Sequence, residues 1–238
     1  CALPILAAGL CGLGLTKGDR VGIVAYNCLA WMEMYVGLAR AGLVAVPLNF
    51  RLTGPEMAYI LDNAEVSAVI AGEEFHDTLN GLRGQLTVEA GRYISLSSSK
   101  AEGWIAYEQL LAQADIAHSF EPVRPEDTCA LMYTSGTTGR PKGAIRNHGG
   151  SSLIALATAL EMGFTRQDTA LLVMPLCHAN SLYFGTTFIH LGGTCIVDDR
   201  RSFDPAALLR TMAEEHVTFT SLVPTHRSEE HTSELQSH

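Results

Sequence analysis

Residues 133–143 read Tyr133-Thr134-Ser135-Gly136-Thr137-Thr138-Gly139-Arg140-Pro141-Lys142-Gly143. Hydroxyls, glycines and a lysine are packed here between two apolar runs, residues 129–132 and the segment after His148. Glycine tolerates positive φ and lets a ligand come close to the backbone. Successive N–H groups in such a turn form an anion-binding concavity, and a lysine adds a mobile point charge suited to phosphate. The stretch reads as a cradle for a polyphosphate. A Walker A loop is excluded, because that motif places its lysine directly after the second glycine, where a helix opens. Here Arg140 and Pro141 separate Gly139 from Lys142. Pro141 also biases Arg140 toward extended backbone, so this loop returns to strand instead of entering a helix. The spacing does not follow the Rossmann G-x-G-x-x-G pattern either.

Outward from the loop the pattern alternates. Residues 20–26 (RVGIVAY) form an apolar run entered from Lys17-Gly18-Asp19, which predicts a buried strand. Asn27 is placed to cap the helix that follows, through Trp31, Met34, Tyr35 and Leu38, with Gly42 to end it. A strand is expected at 43–47. Thr53 then caps a helix with Pro55 early in it, Glu56 at the capping-box position, and Met57, Ile60, Leu61 and Ala64 as its apolar face. Residues 67–71 return as a strand. After a less regular middle comes a proline- and charge-rich connector at 121–127, a candidate subdomain boundary. Beyond it the pattern predicts a strand at 128–133, the loop, and a strand or turn at 144–146. A helix at 151–162, a strand at 170–174, an apolar glycine-containing segment at 181–191 and a strand at 194–197 follow. An Asp204-capped helix at 205–213 and a short strand at 217–222 complete the series. Such alternation predicts an α/β fold of stacked, mostly parallel sheets with flanking helices.

With 238 residues, 47% of them hydrophobic, the chain can bury a substantial core. A charged fraction of only 17% excludes a disordered chain or a coiled coil. The formal charge of -9 argues against a nucleic-acid partner, since no basic stripe is present to release counterions. The six cysteines are irregularly spaced without a CxxC pair, which points to a reduced, cytoplasmic setting. No apolar run is long enough to span a bilayer. Near the start, Leu3, Leu6, Leu10 and Leu13 recur at helical spacing, and no basic segment precedes them. This reads as an amphipathic helix, not a signal peptide. The lack of an initiator methionine fits a chain cut from something longer.

The 133–143 stretch resembles, nearly letter for letter, the signature (Y/F)-T-S-G-(S/T)-T-G-x-P-K-G of the adenylate-forming (AMP-binding) superfamily. That superfamily takes in acyl-CoA synthetases, peptide-synthetase adenylation domains and luciferases. The resemblance extends further. Residues 15–26 (LTKGDRVGIVAY) are similar to an early strand of the family, and residues 41–52 (AGLVAVPLNFRL) to its A-G-x-x-x-x-P-x-N-x-R stretch. Residues 174–178 (MPLCH) resemble its P-L-(F/C)-H segment, and residues 221–225 its V-P-T turn. The likeness runs from the first helix to His226.

The resemblance implies that Thr134, Ser135, Gly136, Thr137, Thr138 and Gly139 hold the β- and γ-phosphates of ATP. Thr134 or a neighbouring hydroxyl would approach Mg2+, and Lys142 would help neutralise the departing pyrophosphate. It implies ATP-dependent activation of a fatty or aromatic carboxylic acid to an acyl-adenylate, followed by transfer to coenzyme A. An adenylation domain loading a carrier protein and a non-catalytic nucleotide-binding module remain the alternatives. His178 matches a position beside the family's acyl pocket, where an imidazole would bond substrate or gate the channel. The plainer reading is a histidine bonded to backbone near a helix start after Pro175, and both stay open. His148 reads as structural, near the start of the following helix. Asn49 and Arg51 read as fixing a turn through backbone bonds. Cys177, adjacent to His178, is not read as its nucleophile, because neighbouring side chains on extended chain point apart.

Several parts of the family pattern are not found: the Y-G-x-T-E segment, the ribose-binding aspartate, the hinge, and the small C-terminal domain with its catalytic lysine. Residues 1–226 are therefore expected to be a partial N-terminal AMP-binding domain, inactive alone, with uncovered sheet edges and apolar faces. Residues 227–238 (RSEEHTSELQSH) resemble the translation of a common sequencing-library adapter and stand outside the functional reading.

Overall fold

The computed structural model describes residues 2–115, 117–134 and 140–223. The chain divides into two compact units: Cys1–Ala25 with Leu29–Ser151, and Tyr26–Cys28 with Ser152–His238. The connector at 121–127 lies inside the first unit, so the expected boundary there does not occur.

The first unit begins with the leucine repeat, which forms α1 (Ala2–Gly12) and buries Leu6 and Leu10. The chain then alternates through β1 (Arg20–Val24), α2 (Ala30–Ala41), β2 (Val44–Pro47), α3 (Gly54–Asn63) and β3 (Val66–Ala71). It continues with α4 (His76–Leu82), β4 (Tyr93–Ser95), β5 (Ile105–Ala106), α5 (Tyr107–Ala112), β6 (Thr128–Thr134) and β7 (Lys142–Asn147), and enters α6 (His148–Met162). The strands form one sheet in the order β5-β4-β3-β1-β2-β6-β7. All neighbours pair in parallel except β6 and β7, which are antiparallel. Strands β1, β2 and β3 are almost wholly buried. Their near-continuous Val/Ile/Ala runs are what a parallel strand covered on both faces requires.

Local chemistry sets where these elements start and stop. Gly42 ends α2 in the left-handed region at φ 70, its N–H donating to the carbonyls of Ala39 and Leu38. That conformation costs a residue with a Cβ more than it costs glycine. Glu56 Oε2 accepts from the backbone N–H and the hydroxyl of Thr53, both at 2.7 Å, closing the expected capping box at the head of α3. Helix α3 buries Met57, Ile60 and Leu61, and Leu61 lies against Gly22 of β1. Burying such a side chain contributes about 1.5–3 kcal/mol. A Cβ on Gly22 would stand 2.5 Å from Leu61 Cδ2, so the glycine sets how closely helix and strand approach.

Asn27 departs from expectation. Helix α2 starts at Ala30 with Leu29 as its cap. The Asn27 amide instead donates to the carbonyls of Met174 (3.2 Å) and Val173 (3.4 Å), and its Oδ1 accepts from Leu176 N–H at 2.8 Å. The polar groups of an irregular segment need partners more than a helix end open to water does, and Asn27 supplies both a donor and an acceptor.

The second unit carries the rest of α6, β8 (Thr169–Leu172), α7 (Ala179–Leu191), β9 (Thr194–Val197), α8 (Pro205–Glu214) and β10 (Phe219–Thr220). Its sheet runs β10-β8-β9, all parallel. Phe164, Phe184 and Phe188 gather around Phe219, Phe164 and Phe184 with ring centroids 4.8 and 4.5 Å from it. Asp204 caps α8, its Oδ1 accepting from Ala207 N–H at 2.9 Å. Among the described residues no helix is long and apolar enough to cross a membrane. On α6, Leu153, Leu156 and Leu160 are exposed, Leu160 to 82%. The edge strand β7 leaves Ile145 73% exposed.

Candidate functional site

Thr134 is the last residue of β6 and Lys142 the first of β7, and they are direct register partners. Strand β6 is parallel to β2, so Thr134 lies at the carboxyl edge of the parallel strands, the edge where open α/β sheets take their ligands. Directly opposed residues of an antiparallel pair project to one face with Cβ atoms about 4.5–5.5 Å apart. The pair thus presents one hydroxyl and one ammonium together, both exposed. Among the described residues no carboxylate forms an ion pair with Lys142. Ser135, Gly136, Thr137, Thr138 and Gly139 lie outside the described residues.

One residue on, the side chains face the other way, and that face is held by α3. Tyr133 Oη donates to Asn63 Oδ1 at 2.7 Å. Tyr59 Oη donates to the Pro141 carbonyl at 3.2 Å, and the Arg140 guanidinium lies 5.5 Å from the Tyr59 ring centroid. Tyr59 and Asn63 are one helical turn apart and so share a face of α3. The strand entering the loop and the segment leaving it are bound to the same helix. Burial pushes the Tyr133 hydroxyl pKa up, and the neighbouring Tyr59 adds to the rise, so Tyr133 remains a proton donor. Its ring lies across its register partner Gly143, where a Cβ would come within 3.1 Å of the ring. Glycine at the end of the motif therefore has a packing reason. Neither α3 residue was singled out from the sequence, because their partners are 70 and 82 positions away.

His148 opens α6. Its N–H donates to the Asp127 carbonyl at 3.0 Å, its Nε2 is buried with no hydrogen-bond partner, and burial holds its imidazole below the ordinary range. The structural reading of this residue agrees with that placement. Asn49 Oδ1 accepts from Arg51 N–H at 2.9 Å, the backbone bond expected to fix the turn.

In the second unit, His178 is the extended residue that precedes α7, with an exposed side chain. Its N–H donates to the Pro175 carbonyl at 3.0 Å, and its own carbonyl accepts from Leu182 N–H at 3.2 Å. Cys177 beside it is buried. A buried thiol next to an exposed imidazole fits the expectation that the two point apart.

The AMP-binding enzyme family model matches residues 4–229. The chain belongs to this family. Among its relatives, a feruloyl-CoA synthase from Amycolatopsis is 35% identical over 221 residues, covering 92% of this chain and 41% of that protein. A long-chain-fatty-acid–CoA ligase from Thermus thermophilus is 34% identical over 225 residues, covering 92% and 40%. The chain therefore spans about two fifths of the length of the curated relatives it matches. The inhibitor-bound N-terminal domain of FACL13 from Mycobacterium tuberculosis superposes with a TM-score of 0.81 at 28% identity, over 94% of this chain and 55% of that one. The Bacillus subtilis O-succinylbenzoate coenzyme A synthetase, solved with ATP and magnesium, gives a TM-score of 0.81 at 25% identity, over 96% and 44%. The fold of this member of the family is accordingly α/β, with mostly parallel sheets and flanking helices, as read from the sequence.

Proposed function

We propose that this chain is the N-terminal part of an AMP-forming acid–thiol ligase. The parent protein would activate a fatty or aromatic carboxylic acid with ATP and pass the acyl group to coenzyme A. The observation that carries the reading is the Thr134–Lys142 pair at the carboxyl edge of β6, in a chain of the AMP-binding family. Its relatives named as CoA ligases and synthases support the reaction class.

The donor set suits a polyphosphate. An ammonium without a carboxylate partner offers a mobile charge, and a hydroxyl beside it offers both a donor and an acceptor. Among the described residues no group of three or more His, Cys, Asp or Glu is placed to hold a metal by itself. Thr134 would help hold Mg2+ together with phosphate oxygens, which commonly supply part of this ion's coordination. The bound ion would neutralise charge on the phosphates. Lys142 would place its ammonium where negative charge accumulates as pyrophosphate leaves, so its contribution is greatest in the transition state. Ser135, Gly136, Thr137, Thr138 and Gly139 would add donors to the same phosphates, and His178 would bond the carboxylic acid or gate its entry.

The proposed parent protein tests this reading. In it, Lys142→Ala and Thr137→Val should each slow carboxylate-dependent pyrophosphate release. Unchanged rates would remove the phosphate role of this stretch.

A further inference from the structure

We propose that Tyr59 and Asn63 are positioning residues that set the phosphate affinity of the Thr134–Lys142 pair. The inference rests on the reading of that pair as phosphate-binding. Helix α3 is itself fixed to the sheet, because Leu61 packs against Gly22 on β1, the central strand of the seven-stranded sheet. From that anchored helix, Asn63 takes the hydroxyl of Tyr133 at 2.7 Å, and Tyr59 gives its hydroxyl to the Pro141 carbonyl at 3.2 Å. Tyr133 immediately precedes Thr134, and Pro141 immediately precedes Lys142. Each member of the pair thus has a neighbour tethered to the same helix face. Side-chain alternation along β6 turns Tyr133 and Thr134 to opposite sides.

The arrangement sets the distance between hydroxyl and ammonium. Among the described residues β7 is an exposed edge strand whose ladder partner is β6, so that ladder and the two tethers determine where Lys142 stands. Binding to a pair already held apart at one spacing avoids the ordering cost that a loose pair would incur. Gly143 belongs to the same device. Without a Cβ there, the Tyr133 ring can lie flat across the partner strand and still reach Asn63.

The test is a double-mutant cycle read as affinity for magnesium pyrophosphate by titration calorimetry on the 238-residue chain. Tyr133→Phe and Asn63→Ala should each weaken binding about three- to tenfold, the range a lost hydrogen bond produces. The double variant should be no weaker than either single one, since both remove the same bond. Tyr59→Phe, which keeps the ring beside Arg140, should weaken binding by a similar factor. A merely structural role would lower the melting temperature and leave the pyrophosphate affinity of the folded chain unchanged, and that outcome overturns the inference. Additive losses from Tyr133→Phe and Asn63→Ala overturn it as well. An unsubstituted chain that binds no pyrophosphate overturns the phosphate reading beneath it, and is distinguished by appearing before any substitution is made.

Discussion

Thr134 and Lys142 face each other across the β6–β7 ladder, so a hydroxyl and an ammonium share one face at the carboxyl edge of a parallel sheet. In the proposed ligase, Lys142→Ala would remove the ammonium that faces Thr134 across the ladder. Loss of one such preorganised group costs about 10²–10³ in rate. Because the interaction strengthens as charge develops, the loss should appear mainly in kcat for adenylate formation, with a smaller change in the KM for the acid. Steady-state pyrophosphate release against acid concentration separates the two.

Gly22 sets the seat of α3 on β1. Gly22→Ala would drive a Cβ to 2.5 Å from Leu61 Cδ2 in a fully buried contact. Overpacking of this kind costs about 1–3 kcal/mol. Urea denaturation should show a lower midpoint, and an unchanged midpoint would mean that the α3–β1 contact yields freely.

Much of this arrangement was legible in the sequence where the determinant is local. The capping box of Thr53 and Glu56, the left-handed Gly42, the Asp204 cap and the loop spacing each depend on residues within a few positions. What escaped depends on distant partners. Asn27 has the right chemistry for a helix cap, but Met174 and Leu176 claim its amide from 147 and 149 positions away. The two-residue strand β5 is too short for period-two alternation to register. Tyr59 carries no motif, and only the fold brings it to Pro141.

His76 and His148 make the first unit sensitive to acid. Both have a buried Nε2 with no hydrogen-bond partner, and burial is the largest cause holding each imidazole below its ordinary value of about 6.5. The folded state then binds protons less readily than the unfolded chain. Stability is fully present above about pH 6.5 and is lost as pH falls toward the lowered folded values. Urea midpoints should decline through that window, and His148→Gln should flatten the decline. An equal slope in the variant would contradict the assignment to His148.

Leu153, Leu156 and Leu160 are spaced three and four apart and exposed on one face of α6. Such a stripe promotes association. The 238-residue chain should self-associate in sedimentation velocity, and Leu153→Glu with Leu160→Glu should shift it toward monomer. No shift would assign the association to another surface.

The most direct test of the proposed activity is the product balance of the proposed parent ligase. ATP, magnesium, coenzyme A and a panel of fatty and aromatic acids are supplied, and all products are quantified by chromatography. The expected result is AMP, pyrophosphate and acyl-CoA formed in equal amounts, only when acid is present, and lost in Lys142→Ala. Formation of ADP, or AMP release that does not depend on the acid, would contradict acyl-adenylate chemistry at the Thr134–Lys142 edge.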